Sequence, residues 1–395
     1  MISVEKALQI ILNSTQDFGL EEIPFLKSSG RILKESILAD RDFPPFNRVT
    51  MDGIAIDYKS FQNGQRSFFI EGIQPAGSEQ ITLKNTENCI EVMTGAVLPK
   101  NTSAVVRYED LEINNGIAAI LIDEIKDLQN IHQQGKDEQK GAILITKNTQ
   151  ISPAEMGVFA TVGKSFVKVA KQPKVMIIST GDELVAVEET PLAHQIRRSN
   201  VFTLVSLLEN LKISSKINHI SDDKKVLRNT IKEYLKMYDV VLFSGAVSKG
   251  KFDFLPEVLE ELGVQKLFHQ VAQRPGKPFW FGQTTSCKVF AFPGNPVSAF
   301  VNCLVYFYPW FYKSMGLKMV EKTAILAEDI FFKPDLTYFL QVKLNYKFGH
   351  LIATPINSNG SGDLSSLIKA DGFIQLPNDI TEFKKGESYP IISYK

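Results

Sequence analysis

The sequence predicts a multidomain α/β protein: a doubly wound α/β domain together with a helical stalk, an all-β insertion and a C-terminal β-barrel. Three observations predict it. Residues 172–318 alternate short apolar runs with amphipathic helical patterns. Residues 41–138 read instead as short β-like runs broken by Gly, Pro and Asn, and residues 319–395 return to β-type alternation. Residues 1–40 and 139–171 flank the insertion and form one discontinuous stalk, which makes the architecture elongated.

Length and composition narrow the function classes. At 395 residues the chain has room for about two to four domains of about 100–200 residues each. Lys plus Arg (44) balance Asp plus Glu (44), so no basic field points to nucleic acid. The longest apolar stretch, 299–312, is broken by Asn302 and Pro309 and is shorter than the ~20 residues that span a bilayer; it reads as a core helix. The start, with Val4, Leu8, Ile11 and Leu12 at helical spacing, has no basic leader or cleavage pattern, so export is not expected. Cys89, Cys287 and Cys303 are odd in number and far apart, which suits a reducing cytoplasm and argues against a thiolate metal site. His132, His194, His219, His269 and His350 include no zinc-hydrolase spacing and read as surface or packing residues.

Taken in order, residues 1–40 read as helix followed by an extended link, ended by Phe43-Pro44-Pro45-Phe46, where consecutive prolines exclude a helix. In the insertion, runs at 68–70, 89–93, 104–108 and 117–122 read as strands. Two polar turns, Thr50-Met51-Asp52-Gly53 and Met93-Thr94-Gly95-Ala96, are either tight turns or ligand-facing loops. Ser152-Pro153-Ala154-Glu155 predicts a helix start. Ser199-Asn200 caps an apolar-periodic helix, 216–220 is a strand, and Ser221-Asp222-Asp223 opens an amphipathic helix. A helix over 256–262 and strands near Phe268 and Phe279 complete the sheet. In the last region, 338–344, 372–377 and 389–394 alternate as strands of a small barrel, and Asn359-Gly360-Ser361-Gly362-Asp363 is a polar loop.

Three apolar strands open into glycine-containing turns. Residues 174–178 lead to Ser179-Thr180-Gly181-Asp182-Glu183, 240–243 to Ser244-Gly245 with Ser248, Gly250 and Asp253, and 288–292 to Pro293-Gly294-Asn295-Pro296. Parallel neighbours would bring these turns to one sheet edge, where amides and helix N-termini favour anions. Arg274 and Lys277, on the proline-stiffened turn Arg274-Pro275-Gly276-Lys277-Pro278, suit phosphate or a metal oxoanion. Asp182, Glu183, Asp222 or Asp223, and Asp253 would crowd the same edge, and hard oxygen ligands select Mg2+ shared with substrate phosphates. The residues thus describe a phosphoryl- or nucleotidyl-handling site. They do not name its organic ligand.

A family resemblance supplies that name. Phe43-Pro44-Pro45-Phe46 with Met51-Asp52-Gly53, Met93-Thr94-Gly95-Ala96, Ser179-Thr180-Gly181-Asp182-Glu183-Leu184, Ser244-Gly245-Ala246-Val247-Ser248 with Gly250 and Asp253, Arg274-Pro275-Gly276-Lys277-Pro278 and Pro293-Gly294-Asn295-Pro296 occur in this order along the chain. In that order they resemble the molybdopterin molybdenumtransferase family, the MoeA family that includes the gephyrin E domain, over essentially the whole chain. The resemblance implies an Mg2+-dependent enzyme of molybdenum cofactor biosynthesis, a cytoplasmic homodimer of four-domain subunits with a molybdopterin-binding α/β domain. Its substrates would be adenylylated molybdopterin and molybdate, and AMP would be released; a molybdopterin adenylyltransferase is a possible partner.

By the same resemblance, Asp52 and Thr94, presented by the partner's insertion, act with Glu183 and Asp253 in catalysis. Asp182, Glu183, Asp222 and Asp253 hold metal. Thr180, Gly181, Asp182, Ser244, Gly245, Ser248, Arg274, Gly276, Lys277, Pro293, Gly294, Asn295 and Ser361 bind the pterin substrate. The chain departs from the family pattern at Asn47-Arg48-Val49-Thr50 and Ile54, at His132 and Lys136 of the 130–137 segment, and at Ala246. A molybdopterin adenylyltransferase would be a compact single domain without the insertion and barrel, and a gephyrin-like scaffold would not need the acidic cluster. Molybdate and tungstate carry the same charge, so the sequence favours neither.

Overall fold

The computed structural model describes residues 1–245, 247 and 254–395. The first forty residues hold one α-helix, Val4–Asn13, and a single 3-10 turn, Phe25–Lys27, before the link to the insertion. Ser3 caps the α-helix by accepting the Lys6 N–H. It ends at Ser14, whose N–H and hydroxyl both donate to the Ile11 carbonyl, at 3.0 and 2.7 Å. Leu20–Pro24 is instead a strand paired antiparallel with Phe166–Ala170. Ile37–Leu38 pairs antiparallel with Ile143–Ile145, so the chain leaves for the insertion and returns side by side. The helix Pro153–Thr161 starts on the expected capping box of Ser152 and Glu155, and Phe159 packs with Leu33, Val167 and Val169 in the core of this region.

The insertion is a six-stranded sheet ordered Ala104–Arg107, Gly53–Ile56, Asn88–Val92, Ser67–Gln74, Ile117–Ile120, Leu111–Asn114. Ile54, Ile56, Phe68, Cys89 and Val106 close one core on it. Position 53 needs glycine because a Cβ there would collide with the Val106 carbonyl on the neighbouring strand.

The central sheet contains β1 (Val175–Thr180), β2 (Ser215–Ile220), β3 (Val240–Ser244), β4 (Gln265–His269), β5 (Trp280–Gln283) and β6 (Lys288–Phe292). Its order is β2-β1-β3-β6-β5-β4, with the first four parallel, β5 antiparallel to β6, and β4 antiparallel to β5 and so aligned with the first four. Helices α1 (Asn200–Asn210), α2 (Lys224–Met237), α3 (Leu255–Glu261) and α4 (Pro296–Asn302) cover it. Successive side chains leave a strand on opposite faces. Ile177, Leu242 and Phe290 therefore join one core with Leu204, Leu208 and Val301, while Met176, Val241 and Val289 join another with Leu227, Ile231 and Val258. The wholly apolar strands follow from burial on both faces.

The stretch 299–312 is helical but changes pitch: α4 runs into a π turn, Cys303–Phe307, and then the helix Tyr308–Ser314. The change precedes Pro309, which cannot donate the next helical hydrogen bond. Phe307 and Trp310 pack into the core here with their rings tilted at 39° and the centroids 5.5 Å apart. Among the described residues no helix is long and apolar enough to cross a membrane.

At the C-terminal end, Thr337–Lys347 pairs with His350–Pro355 and Gly372–Leu376, and Lys322–Leu326 and Ser388–Ser393 complete a closed five-stranded barrel. Leu326, Val342, Ile374 and Leu376 fill it. Gln273–Arg274 adds to it parallel to Thr337–Lys347, tying the loop before β5 to the barrel. The architecture is thus the multidomain α/β arrangement expected, with its stalk, β insertion and barrel.

Candidate active site

The parallel register of β1, β3 and β6 carries their carboxyl ends to one edge, and the turns meet there. Gly245 takes φ +111°, and a Cβ on it would lie 3.3 Å from the Thr180 carbonyl oxygen and 3.4 Å from Thr180 Oγ1. A Cβ on Gly294 would lie 3.6 Å from the Gly245 Cα. Glycines here let three backbones converge. The Gly245 N–H donates to the Phe292 carbonyl at 3.0 Å. Asn200, first residue of α1, fastens two of the ends by donating its Nδ2 hydrogens to Ser244 Oγ (2.9 Å) and the Gly294 carbonyl (2.7 Å).

These turns line a cleft of about 660 Å³ together with Glu183, Asp222, Val247, Pro278, Pro293 and Asn295. Its scale suits a nucleotide-sized ligand. The barrel reaches it as well: Asn295 Nδ2 donates to Ser361 Oγ at 2.9 Å, the Val297 N–H donates to the Ser361 carbonyl at 3.1 Å, and Gly362 lines the opening. The polar loop 359–363 is therefore docked on the α/β domain, with Asp363 capping the helix Leu364–Lys369.

The acidic side of the cleft is built around Gly181, at φ +129°, where a Cβ would collide with both carboxylate oxygens of Glu183. Glu183 thus folds back over the turn instead of extending from it. Asp182 Oδ1 accepts the Asp222 N–H at 3.2 Å, which brings the second acidic segment alongside. Among the described residues, no three His, Cys, Asp or Glu side chains form a metal cage. Ser248 and Asp253, both expected at this site, lie outside the described residues.

Other expected residues stand elsewhere. Arg274 is exposed beside the barrel, its guanidinium carbon 5.9 Å from the Phe332 ring centroid, and Lys277 is exposed. Neither they nor Gly276 line the cleft; from this loop only Pro278 does. The loop is held from beneath: Gln273 Nε2 donates to the Pro275 carbonyl (2.8 Å) and Asn302 Oδ1 (2.7 Å), Asn302 Nδ2 donates to the Gly276 carbonyl (3.2 Å), and the Tyr306 hydroxyl donates to Gln273 Oε1. Asp52 and Thr94 meet each other in the insertion, where the Thr94 N–H donates to Asp52 Oδ1 at 2.6 Å, and they do not line the cleft of their own chain. That bond holds the Asp52 carboxyl below its ordinary range.

The chain is matched over residues 2–163 by the MoeA N-terminal region (domains I and II), over 176–312 by the probable molybdopterin binding domain, and over 323–394 by the MoeA C-terminal region (domain IV). It is 38% identical over 399 residues to the molybdopterin molybdenumtransferase of Synechocystis sp., covering 100% of both chains. The chain belongs to the molybdopterin molybdenumtransferase family. A further member, from Bacillus subtilis, is 30% identical over 404 residues, covering 99% of this chain and 94% of that protein. The crystal structure of the molybdopterin biosynthesis MoeA protein from Pyrococcus horikoshii superposes with a TM-score of 0.84 at 30% identity, covering 100% of this chain and 99% of that one.

Within this family fold, the cleft includes residues that the sequence reading did not assign to a site. Arg197 and Arg198 reach the cleft because Ile196–Arg197 pairs parallel with Leu184–Val185, immediately after Glu183. Two adjacent arginines directly before the capped helix were the available signal. His219, read as a surface or packing residue, is partly buried and contacts Ser179 Oγ through Nδ1 at 3.0 Å, and burial followed by the Arg198 charge pushes its pKa down. Asn200 was read only as part of a helix start.

Proposed function

We propose that this chain inserts molybdenum from molybdate into the dithiolene of adenylylated molybdopterin and releases AMP. The observation that carries this reading is the meeting of the Thr180, Gly245 and Gly294 turns in a single cleft. Backbone amides freed by glycine can approach phosphate oxygens there, and Asn200 holds two of the turns at a fixed spacing. Family membership supports molybdopterin and molybdate as the substrates.

Glu183 and Asp222, both carboxylates, line the cleft. This donor set fits Mg2+, which takes one or two carboxylates and completes its shell with water and substrate phosphate oxygens. When bound it would offset phosphate charge as the adenylate leaves. Glu183 is held over Gly181, and both line the cleft. Asp253 joins this acidic group in our reading on its sequence motif. Asp52 and Thr94 complete the site from a second copy of the chain, so the working form is a homodimer. A cytoplasmic location and receipt of substrate from an adenylyltransferase accord with this chemistry.

Incubation with adenylylated molybdopterin, Mg2+ and either molybdate or tungstate tests the reading, with AMP release followed over time. We expect release that depends on both metal salts and is lost in Glu183→Gln. Absence of AMP release by the folded wild-type dimer would refute it.

A further inference from the structure

The cleft has cations that the acidic and glycine-rich motifs do not account for. Among the described lining residues, Arg197 and Arg198 are the positively charged side chains. Each spends one donor on the backbone of its own loop: Arg197 Nε donates to the Glu189 carbonyl at 3.0 Å, and Arg198 Nε donates to the Val185 carbonyl at 3.3 Å. Those bonds fix where each guanidinium stands. No carboxylate among the described residues comes within ion-pair distance of either, although Glu188 and Glu189 are close in sequence.

Two arginines lining the cleft without a carboxylate in ion-pair distance leave positive charge on this side of it. An anion in the cleft would offset that charge, and a guanidinium fork matches the oxygens of a phosphate. Position supports the same assignment. Arg197 ends the strand Ile196–Arg197, which pairs parallel with Leu184–Val185 directly after Glu183, and Arg198 follows it, so both cations stand beside the acidic turn. The Arg198 charge already reaches His219, whose protonated form it disfavours. Arg274 and Lys277, the cations expected from the sequence, stand outside this lining.

We propose that Arg197 and Arg198 form a phosphate subsite of the cleft that grips the adenylyl phosphate of the substrate. This assignment rests on the reading of the cleft as the site for an adenylylated substrate. A guanidinium pair on the phosphate bridging AMP to the pterin would orient it toward the carboxylate side and stabilise the charge that the departing AMP gains.

The test is equilibrium binding by calorimetry, with AMP, adenosine and inorganic phosphate as probes. The proteins compared are wild type, Arg197→Gln/Arg198→Gln and Arg197→Lys/Arg198→Lys, each checked for an unchanged melting temperature. We expect wild type to prefer AMP over adenosine, with an affinity that falls as salt rises. The glutamine pair should lose about tenfold or more in AMP affinity, the cost of about one charge-assisted contact, while adenosine binding stays unchanged. The lysine pair, which keeps the charge, should retain most of it, and it serves as the reporter if the glutamine pair does not fold. Competition by inorganic phosphate as strong as that by AMP would place any phosphate of the substrate there; weaker competition would assign the nucleotide's own. Equal AMP affinity in wild type and the glutamine pair, no preference of wild type for AMP over adenosine, or an equal loss in the lysine pair would each overturn the proposal. AMP binding through this pair in a protein that releases no AMP from adenylylated molybdopterin would sink the catalytic reading and leave the subsite standing.

Discussion

The carboxylate of Glu183 occupies the space that a Cβ on Gly181 would need. The turn after β1 therefore stores the placement of an acidic group in the absence of a side chain two residues earlier, and the relation is open to a direct test.

Gly181→Ala is expected to displace Glu183 and to strain a backbone held at φ +129°, a conformation costing about 1–3 kcal/mol for a residue with a side chain. AMP release should fall much further than stability does. Thermal melting and initial rates on the same preparation check this; a fully active alanine variant would show that the acid need not fold back.

Asp52 gives a prediction in pH. Its folded-state pKa is depressed, chiefly by the Thr94 N–H, so its contribution to stability is present above the unfolded carboxyl value of about 3.9 and is lost as pH falls through the lower folded value. Asp52→Asn should therefore melt below wild type near neutrality and converge with it once the pH falls below the depressed folded value. Because the group is exposed, the gap should be small and should shrink in salt. A gap that persists at low pH would point to packing as its source.

The loop beneath Arg274 supplies a third. Tyr306→Phe removes the hydroxyl that donates to Gln273 Oε1, within a network that is almost wholly buried. Leaving that oxygen unpaired should cost about 1–3 kcal/mol, read from chemical denaturation. Since Gln273 also holds the Pro275 carbonyl and Asn302, the loss should be coupled to that of Asn302→Ala rather than additive.

The strand ends of the site were legible in the sequence because each is a short apolar run ended by glycine, a signal confined to consecutive residues. The central sheet needed little more: 288–292 is a strand as read, and 216–220 is extended by one residue. What escaped depends on partners distant in the chain. Leu20–Pro24 is a strand because Phe166–Ala170 lies beside it, and nothing in Leu20-Glu21-Glu22-Ile23-Pro24 announces a neighbour far along the sequence. Arg197 and Arg198 come to the cleft through a two-residue pairing with Leu184–Val185, too short to leave a periodicity. Arg274 read as a cleft cation because its loop falls between sheet strands; its attachment to the barrel strand Thr337–Lys347 is a tertiary fact that local sequence does not carry.

The paired strands Ile37–Leu38 and Ile143–Ile145 give the insertion a single doorway. Whatever happens beyond that threshold, the two ends stay at the spacing of one hydrogen-bonded ladder, about 5 Å. A short linker could therefore close the gap left by removing the β module and leave the rest of the chain folded, while what Asp52 and Thr94 lend to a second copy would be lost with it.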